Sequence, residues 1–271
     1  VLYGILTESN IGELFLAGFI PGILTIIFFM ATIAITTRIF PDSGPRGEKT
    51  TFKQKIMAFK DVWGTVILFV LVIGGIYTGI FSPEEAAGIG ASGALALALL
   101  ARTMTWPIFL DCLMQTVRTS AMIFTILIGA ILFNNFLVLS AVPDAIGAWI
   151  GNLPFTSTVI MLIILLIYLI MGCALDSLAM ILLTIPIFFP VVVNLGFDPI
   201  WFGIIVVMVV ELGLITPPVG MNVFIIKGMA AEVPLSKIYK GVLPFVIAQI
   251  LLITLIVFFP KIATWLPSTM G

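Results

Sequence analysis

Two prolines in succession, Pro217 and Pro218, interrupt an apolar segment that runs from Ile200 to Ala231. Each proline removes a backbone donor and clashes with the preceding turn, so no continuous helix passes through them. The break lies in Glu211-Leu212-Gly213-Leu214-Ile215-Thr216-Pro217-Pro218-Val219-Gly220-Met221-Asn222, with two glycines and a polar Thr and Asn beside it. The whole chain is 61% hydrophobic and 9% charged, the composition of an integral membrane protein. In hydrocarbon, freed backbone groups are tolerated only where protein or a water-filled cavity surrounds them. A break at mid-membrane therefore points to a binding site, with a plain structural kink as the alternative.

The rest of the composition narrows the chemistry. There is no His, so the commonest general base and metal ligand is missing. Cys112 and Cys173 lie far apart without metal-ligand spacing, and both read as small packing residues. Net charge is −1, and no basic patch suggests nucleic acid. These features predict no catalytic residue and no organic cofactor.

Charge orders the chain into crossings. Ile11 to Thr37 is long enough to span a bilayer. The polar stretch Arg38 to Lys60 carries half of the 12 basic residues, which places it in the cytoplasm by the positive-inside rule. Within it, Thr51 to Asp61 reads as an amphipathic helix on the membrane surface. Val62 to Phe81 crosses outward. Ser82-Pro83-Glu84-Glu85 then starts a helix: a Ser cap, Pro in the first turn and carboxylates favoured by the helix dipole. Ala86 to Ala101 crosses back, Thr105 to Arg118 reads as an interfacial helix, and Ser120 to Leu139 crosses outward to a connection over Pro143 to Pro154.

Thr156 to Leu195 is too long for one crossing and is interrupted at Gly172-Cys173-Ala174-Leu175-Asp176-Ser177. A chain that enters, turns at mid-depth and leaves on the same side is a re-entrant hairpin with Asp176 and Ser177 at its buried tip. An ionisable residue at that depth points to function, while Asp176 also suits the cap of a helix from Ser177. The hairpin sends the broken segment inward and puts Lys227, Lys237 and Lys240 in the cytoplasm. A single crossing would put them outside, against the charge rule. Gly241 to Phe259 then crosses outward and leaves the C-terminus outside.

A short internal repeat pairs Val1-Leu2-Tyr3-Gly4 with Ile225-Ile226-Lys227-Gly228. It also pairs Glu8 to Phe15 with Glu232 to Tyr239, and Gly18 and Pro21 with Gly241 and Pro244. In the topology above the two copies run in opposite directions, the signature of an inverted repeat. The chain opens at Val1 without an initiator Met. If Val1 matches Ile225, the first copy's own break precedes Val1, and partner segments or a second chain are expected to complete the enclosure. The reading divides the chain into 1–37, the end of the first repeat, and 38–118, loop, scaffold helices and connecting helix. The transport half, 119–231, holds the hairpin 156–195 and the broken helix 199–231, and 232–271 is the last crossing with the outer terminus.

Three stretches carry a family resemblance over the whole chain: Phe81-Ser82-Pro83-Glu84-Glu85-Ala86-Ala87, Asp176-Ser177-Leu178-Ala179-Met180-Ile181, and the Glu211 to Asn222 break. The sequence resembles the large membrane subunit of tripartite ATP-independent periplasmic (TRAP) transporters of the dicarboxylate and sialic acid type. The resemblance implies an all-α, inverted-repeat, elevator-type secondary transporter in the bacterial inner membrane. It implies a small membrane subunit, a soluble periplasmic substrate-binding protein that delivers an organic acid anion, and sodium symport. By motif it implies a sodium site from Gly172, Gly213, Thr216 and Val219. Asp176, Ser177, Pro217, Pro218, Gly220 and Asn222 are weaker candidates for the site wall. The residues agree: Na⁺ prefers oxygen ligands, and unwound carbonyls and half-helix ends supply them in discontinuous helices. The half-helix starting near Val219 turns its positive end to the same gap, which suits a carboxylate.

Two other functions are weighed. A stand-alone sodium/dicarboxylate symporter would need no binding protein. An intramembrane aspartyl protease would need a carboxylate pair, for which Asp176 has only Glu211.

Overall fold

The computed structural model describes residues 1–41, 44, 51–142, 145, 146, 149, 154–230 and 232–269, with the side chains of 52–61 outside that description. Most of the polar loop after Pro41 and most of the 143–154 connection lie outside the described residues. Among the described residues every regular element is helical, as lipid demands of a chain that must satisfy its own backbone.

The elements are α1 (Leu2–Thr7), α2 (Ile11–Ala17), α3 (Phe19–Ile39), α4 (Phe52–Tyr77), α5 (Pro83–Leu100), α6 (Trp106–Leu139), α7 (Ser157–Gly172), α8 (Ser177–Asn194), α9 (Pro199–Ile215), α10 (Met221–Met229), α11 (Leu235–Phe258) and α12 (Lys261–Thr264). Four helical stretches are long and apolar enough to cross a membrane: Ile11–Ile39, Trp106–Leu139, Ser177–Asn194 and Leu235–Phe258. The chain is a multi-pass, all-α membrane protein.

Three sequence expectations are corrected. The proposed surface helix Thr51 to Asp61 is not separate, because α4 runs unbroken from Phe52 to Tyr77. The proposed interfacial helix Thr105 to Arg118 is likewise the first part of α6, a single helix of 34 residues. At ~1.5 Å per residue that helix is about 50 Å long, so it outruns a hydrocarbon core of roughly 30 Å. In both places polar residues suggested a boundary, but the junctions hold no Gly or Pro, and charge alone does not end a helix. The first crossing is instead stepped at Gly18, where α2 meets α3.

Other starts follow local chemistry. Ser82 accepts from the Glu85 amide at 3.2 Å and Glu85 returns a contact to the Ser82 amide at 2.9 Å, a reciprocal capping box. Asp198 accepts from the Trp201 amide at 2.8 Å, with Pro199 in the first turn of α9. Small residues let α4 and α5 close up: a methyl added at Gly93 would run into Leu68.

The centre of the molecule is α9. Its residues are apolar on every side, which is how a helix surrounded by protein reads. Trp201, Phe202, Ile205 and Val206 are fully enclosed. Around it pack Met161, Ile164 and Tyr168 of α7, Met180 and Ile185 of α8, and Leu252 and Ile256 of α11. Its N-terminal end is tied by Tyr3 Oη donating to the Pro199 carbonyl at 2.6 Å and by Trp201 Nε1 donating to the Ile256 carbonyl at 3.0 Å. The repeat shows in the helix starts: the matched residues Ile11 and Leu235 open α2 and α11. The copies differ at the step, since α11 passes through Gly241 unbroken. Helices α3 and α11 pack together, with Phe29 and Phe245 edge to face at 5.4 Å.

Candidate functional site

Helices α7 and α8 form a helical hairpin that turns where the sequence breaks. Helix α7 ends at Gly172 and α8 begins at Ser177. The two arms fold back on each other, because the Tyr168 and Phe188 rings lie 5.5 Å apart. Asp176 caps α8, its carboxylate accepting from the amides of Leu178 at 3.0 Å and Ala179 at 3.4 Å. Ser177 is the first, half-buried residue of that helix. No described hydrogen bond joins Asp176 to Glu211.

The second break opens where its prolines require. Helix α9 ends at Ile215, and α10 starts at Met221 after Gly220 at φ 60°. Thr216 bends back on the helix end: its amide donates to the Gly213 carbonyl at 3.1 Å and its hydroxyl to the Leu212 carbonyl at 2.6 Å. Pro217 and Pro218 stand where the next two amides would be, and they have none. Among the described residues no backbone N–H reaches the carbonyls of Leu214, Ile215 or Thr216. The Pro217–Pro218 peptide is cis, and both prolines and Val219 are exposed. Asn222 is half-buried in the first turn of α10.

The two breaks touch. A methyl at Gly213 would sit 2.6 Å from the carbonyl carbon of Gly172, 2.7 Å from its Cα and 3.0 Å from its oxygen. The helices meet backbone to backbone, which only glycine allows. The Gly220 amide donates to the Cys173 carbonyl at 3.1 Å, and Cys173 Sγ lies 3.6 Å from the Pro217 carbonyl. Four helix ends therefore gather in one place: the C-termini of α7 and α9, negative by their dipoles, and the N-termini of α8 and α10, positive by theirs. Free carbonyls suit a hard cation, and free amides at the positive ends suit a carboxylate. No group of three or more Cys, Asp or Glu side chains that could hold a metal ion occurs among the described residues, so a cation here would be met by main-chain oxygens and the Thr216 hydroxyl.

Two participants were not legible as such. The Cys173 side chain is buried, as its packing reading expects, and its main-chain carbonyl also latches the tip to the break. Tyr239 of α11 donates to the carbonyls of Pro218 at 2.9 Å and Val219 at 2.6 Å. Its only sequence signal is that the repeat pairs it with Phe15, which lacks a hydroxyl.

A family model described as the DctM component of the tripartite ATP-independent periplasmic transporter matches residues 1–262. The chain belongs to the DctM family. Among its relatives, the C4-dicarboxylate TRAP transporter large permease protein of Pseudomonas aeruginosa is 33% identical over 100% of this chain and 63% of its own length. The sialic acid TRAP transporter large permease protein of Vibrio cholerae is 29% identical over 99% of this chain and 62% of its own. An isethionate TRAP transporter permease protein of Oleidesulfovibrio alaskensis is 32% identical over 97% of this chain and 41% of its own. The chain thus spans about three-fifths of the two large permeases.

Proposed function

We propose that this chain is part of the large membrane subunit of a sodium-coupled secondary transporter that imports an organic acid anion across the bacterial inner membrane. The observation that carries the proposal is the contact between the Gly172–Ser177 tip and the Thr216–Gly220 break, with its free carbonyls and paired helix ends. Sodium would be held by main-chain oxygens at Gly172, Gly213 and Val219 and by the Thr216 hydroxyl, whose hydrogen is already given to Leu212 and whose lone pairs remain available. The carboxylate would lie toward the N-termini of α8 and α10, against Ser177, Pro217, Pro218, Gly220 and Asn222, with Asp176 serving chiefly as the α8 cap.

The C4-dicarboxylate and sialic acid named for two relatives support an organic acid anion as the substrate. As in their tripartite family, the partners would be a small membrane subunit and a soluble periplasmic binding protein. Alternating access by elevator movement of the hairpin and broken helices against a scaffold fits discontinuous helices around a midplane site. The loop 38–60 would face the cytoplasm and the C-terminus the periplasm. The stand-alone symporter reading differs in needing no binding protein, and the protease reading gains nothing from Asp176, whose carboxylate is taken up by capping.

The test is uptake into liposomes by the complete subunits, with binding proteins carrying different acids and an imposed sodium gradient. Uptake that needs both the binding protein and sodium supports the proposal. Uptake without the binding protein favours the stand-alone symporter, and uptake indifferent to sodium contradicts the coupling.

A further inference from the structure

The hydroxyl of Tyr239 gives one hydrogen to two carbonyls of the break. It lies 2.9 Å from the Pro218 oxygen and 2.6 Å from the Val219 oxygen, across 21 and 20 residues of sequence. No other donor among the described residues reaches either oxygen. Both carbonyls must therefore point toward one spot. Two such oxygens repel each other. The positive end of the O–H dipole offsets that repulsion, occupying the kind of place a small cation would.

We infer that Tyr239 is a positioning residue of the cation site. Its hydroxyl holds the Pro218 and Val219 carbonyls gathered before the ion arrives, and so sets the affinity of the site. The inference rests on the reading of the break as a sodium site. A carbonyl oxygen has two lone pairs, so the bond to Tyr239 leaves Val219 able to ligate. Without the hydroxyl the oxygens spread, and gathering them falls on the binding step, which weakens binding.

The geometry also separates this role from packing. The repeat pairs Tyr239 with Phe15, and each residue stands on the fifth position of the helix it belongs to, α11 from Leu235 and α2 from Ile11. A bare phenyl ring is therefore compatible with this position in the fold. The hydroxyl is what Tyr239 adds, and Tyr239→Phe removes that group alone.

The experiment is a sodium titration of thermal stability on the purified, complete permease, with choline replacing sodium at constant ionic strength. Sodium alone is the probe, so neither the acid nor the binding protein needs to be known. A bound ion raises the melting temperature as RT ln(1 + c/Kd), with c the sodium concentration, so the concentration at which the rise sets in reports its affinity. For Tyr239→Phe the expected result is an onset concentration raised roughly fivefold, the loss of one hydrogen bond, with the same logarithmic slope beyond it. A purely structural role would lower melting in choline and leave the onset where it was. An unchanged or lowered onset overturns the inference. If that variant fails to fold, 3-fluorotyrosine at position 239, a stronger donor of nearly the same shape, decides below neutral pH: the onset is expected to fall, and a rise or no change overturns the inference. A wild-type protein that responds alike to sodium and choline removes the sodium site itself, and with it the role assigned to Tyr239.

Discussion

At the residue scale, the site depends on glycines that no other residue can replace. Gly213 lies against the backbone of Gly172, with no flexible side-chain end to give way. Gly213→Ala must therefore push α7 from α9. Overpacking of this kind costs about 1–3 kcal/mol, and more is expected where main chain meets main chain. Thermal unfolding in detergent is expected to show a clear drop for Gly213→Ala and almost none for Gly228→Ala, where an added methyl meets open space. Equal melting temperatures for the two variants would contradict the contact. Asp176 makes a second case. If its role is capping, Asp176→Asn keeps stability and uptake, because Asn caps as well as Asp. Asp176→Ala should lose about 1 kcal/mol, seen as a lower melting temperature. Loss of uptake in Asp176→Asn with normal stability would instead assign the charge a direct role.

At the scale of elements, what was legible is what local chemistry controls. The Ser82 box, the Asp176 cap and both breaks lie where the sequence places them, because each depends on residues a few positions apart. Polarity does not stand in for a helix breaker: nothing at Val117-Arg118-Thr119-Ser120 stops α6. The contacts that make a site are the harder part. That Gly172 meets Gly213, that Cys173 holds Gly220 and that Tyr239 reaches Val219 depends on how α7, α9 and α11 pack, and no local pattern reports it. The prolines make a prediction of their own. Replacing Pro217 and Pro218 together by Ala restores two backbone donors next to free carbonyls. The double variant is expected to insert normally but to lose sodium-dependent stabilisation, because a helix continued past Thr216 would turn the new amides to the Gly213 and Leu214 carbonyls and close the gap in which the Gly213 and Val219 oxygens would meet the ion. Undiminished stabilisation by sodium would show that these carbonyls are not the ligands.

At the scale of the whole molecule, the proposed function carries an orientation and a coupling ion. Orientation is tested by single cysteines in a background lacking Cys112 and Cys173. Ser268→Cys should react with a membrane-impermeant thiol reagent in spheroplasts, and Thr103→Cys only after the membrane is opened. The reverse pattern would invert the topology. The central claim is that sodium enters through the junction of the hairpin tip and the broken helix. Its most direct measurement is the sodium dependence of uptake in liposomes for wild type, Thr216→Ser and Thr216→Ala, each assembled with its partner subunits and loaded binding protein. Thr216→Ser, which keeps the hydroxyl, is expected to stay close to wild type. Thr216→Ala is expected to assemble normally yet need at least roughly tenfold more sodium, the effect of about 1.4 kcal/mol. Normal uptake with an unaltered sodium dependence in Thr216→Ala would contradict the claim.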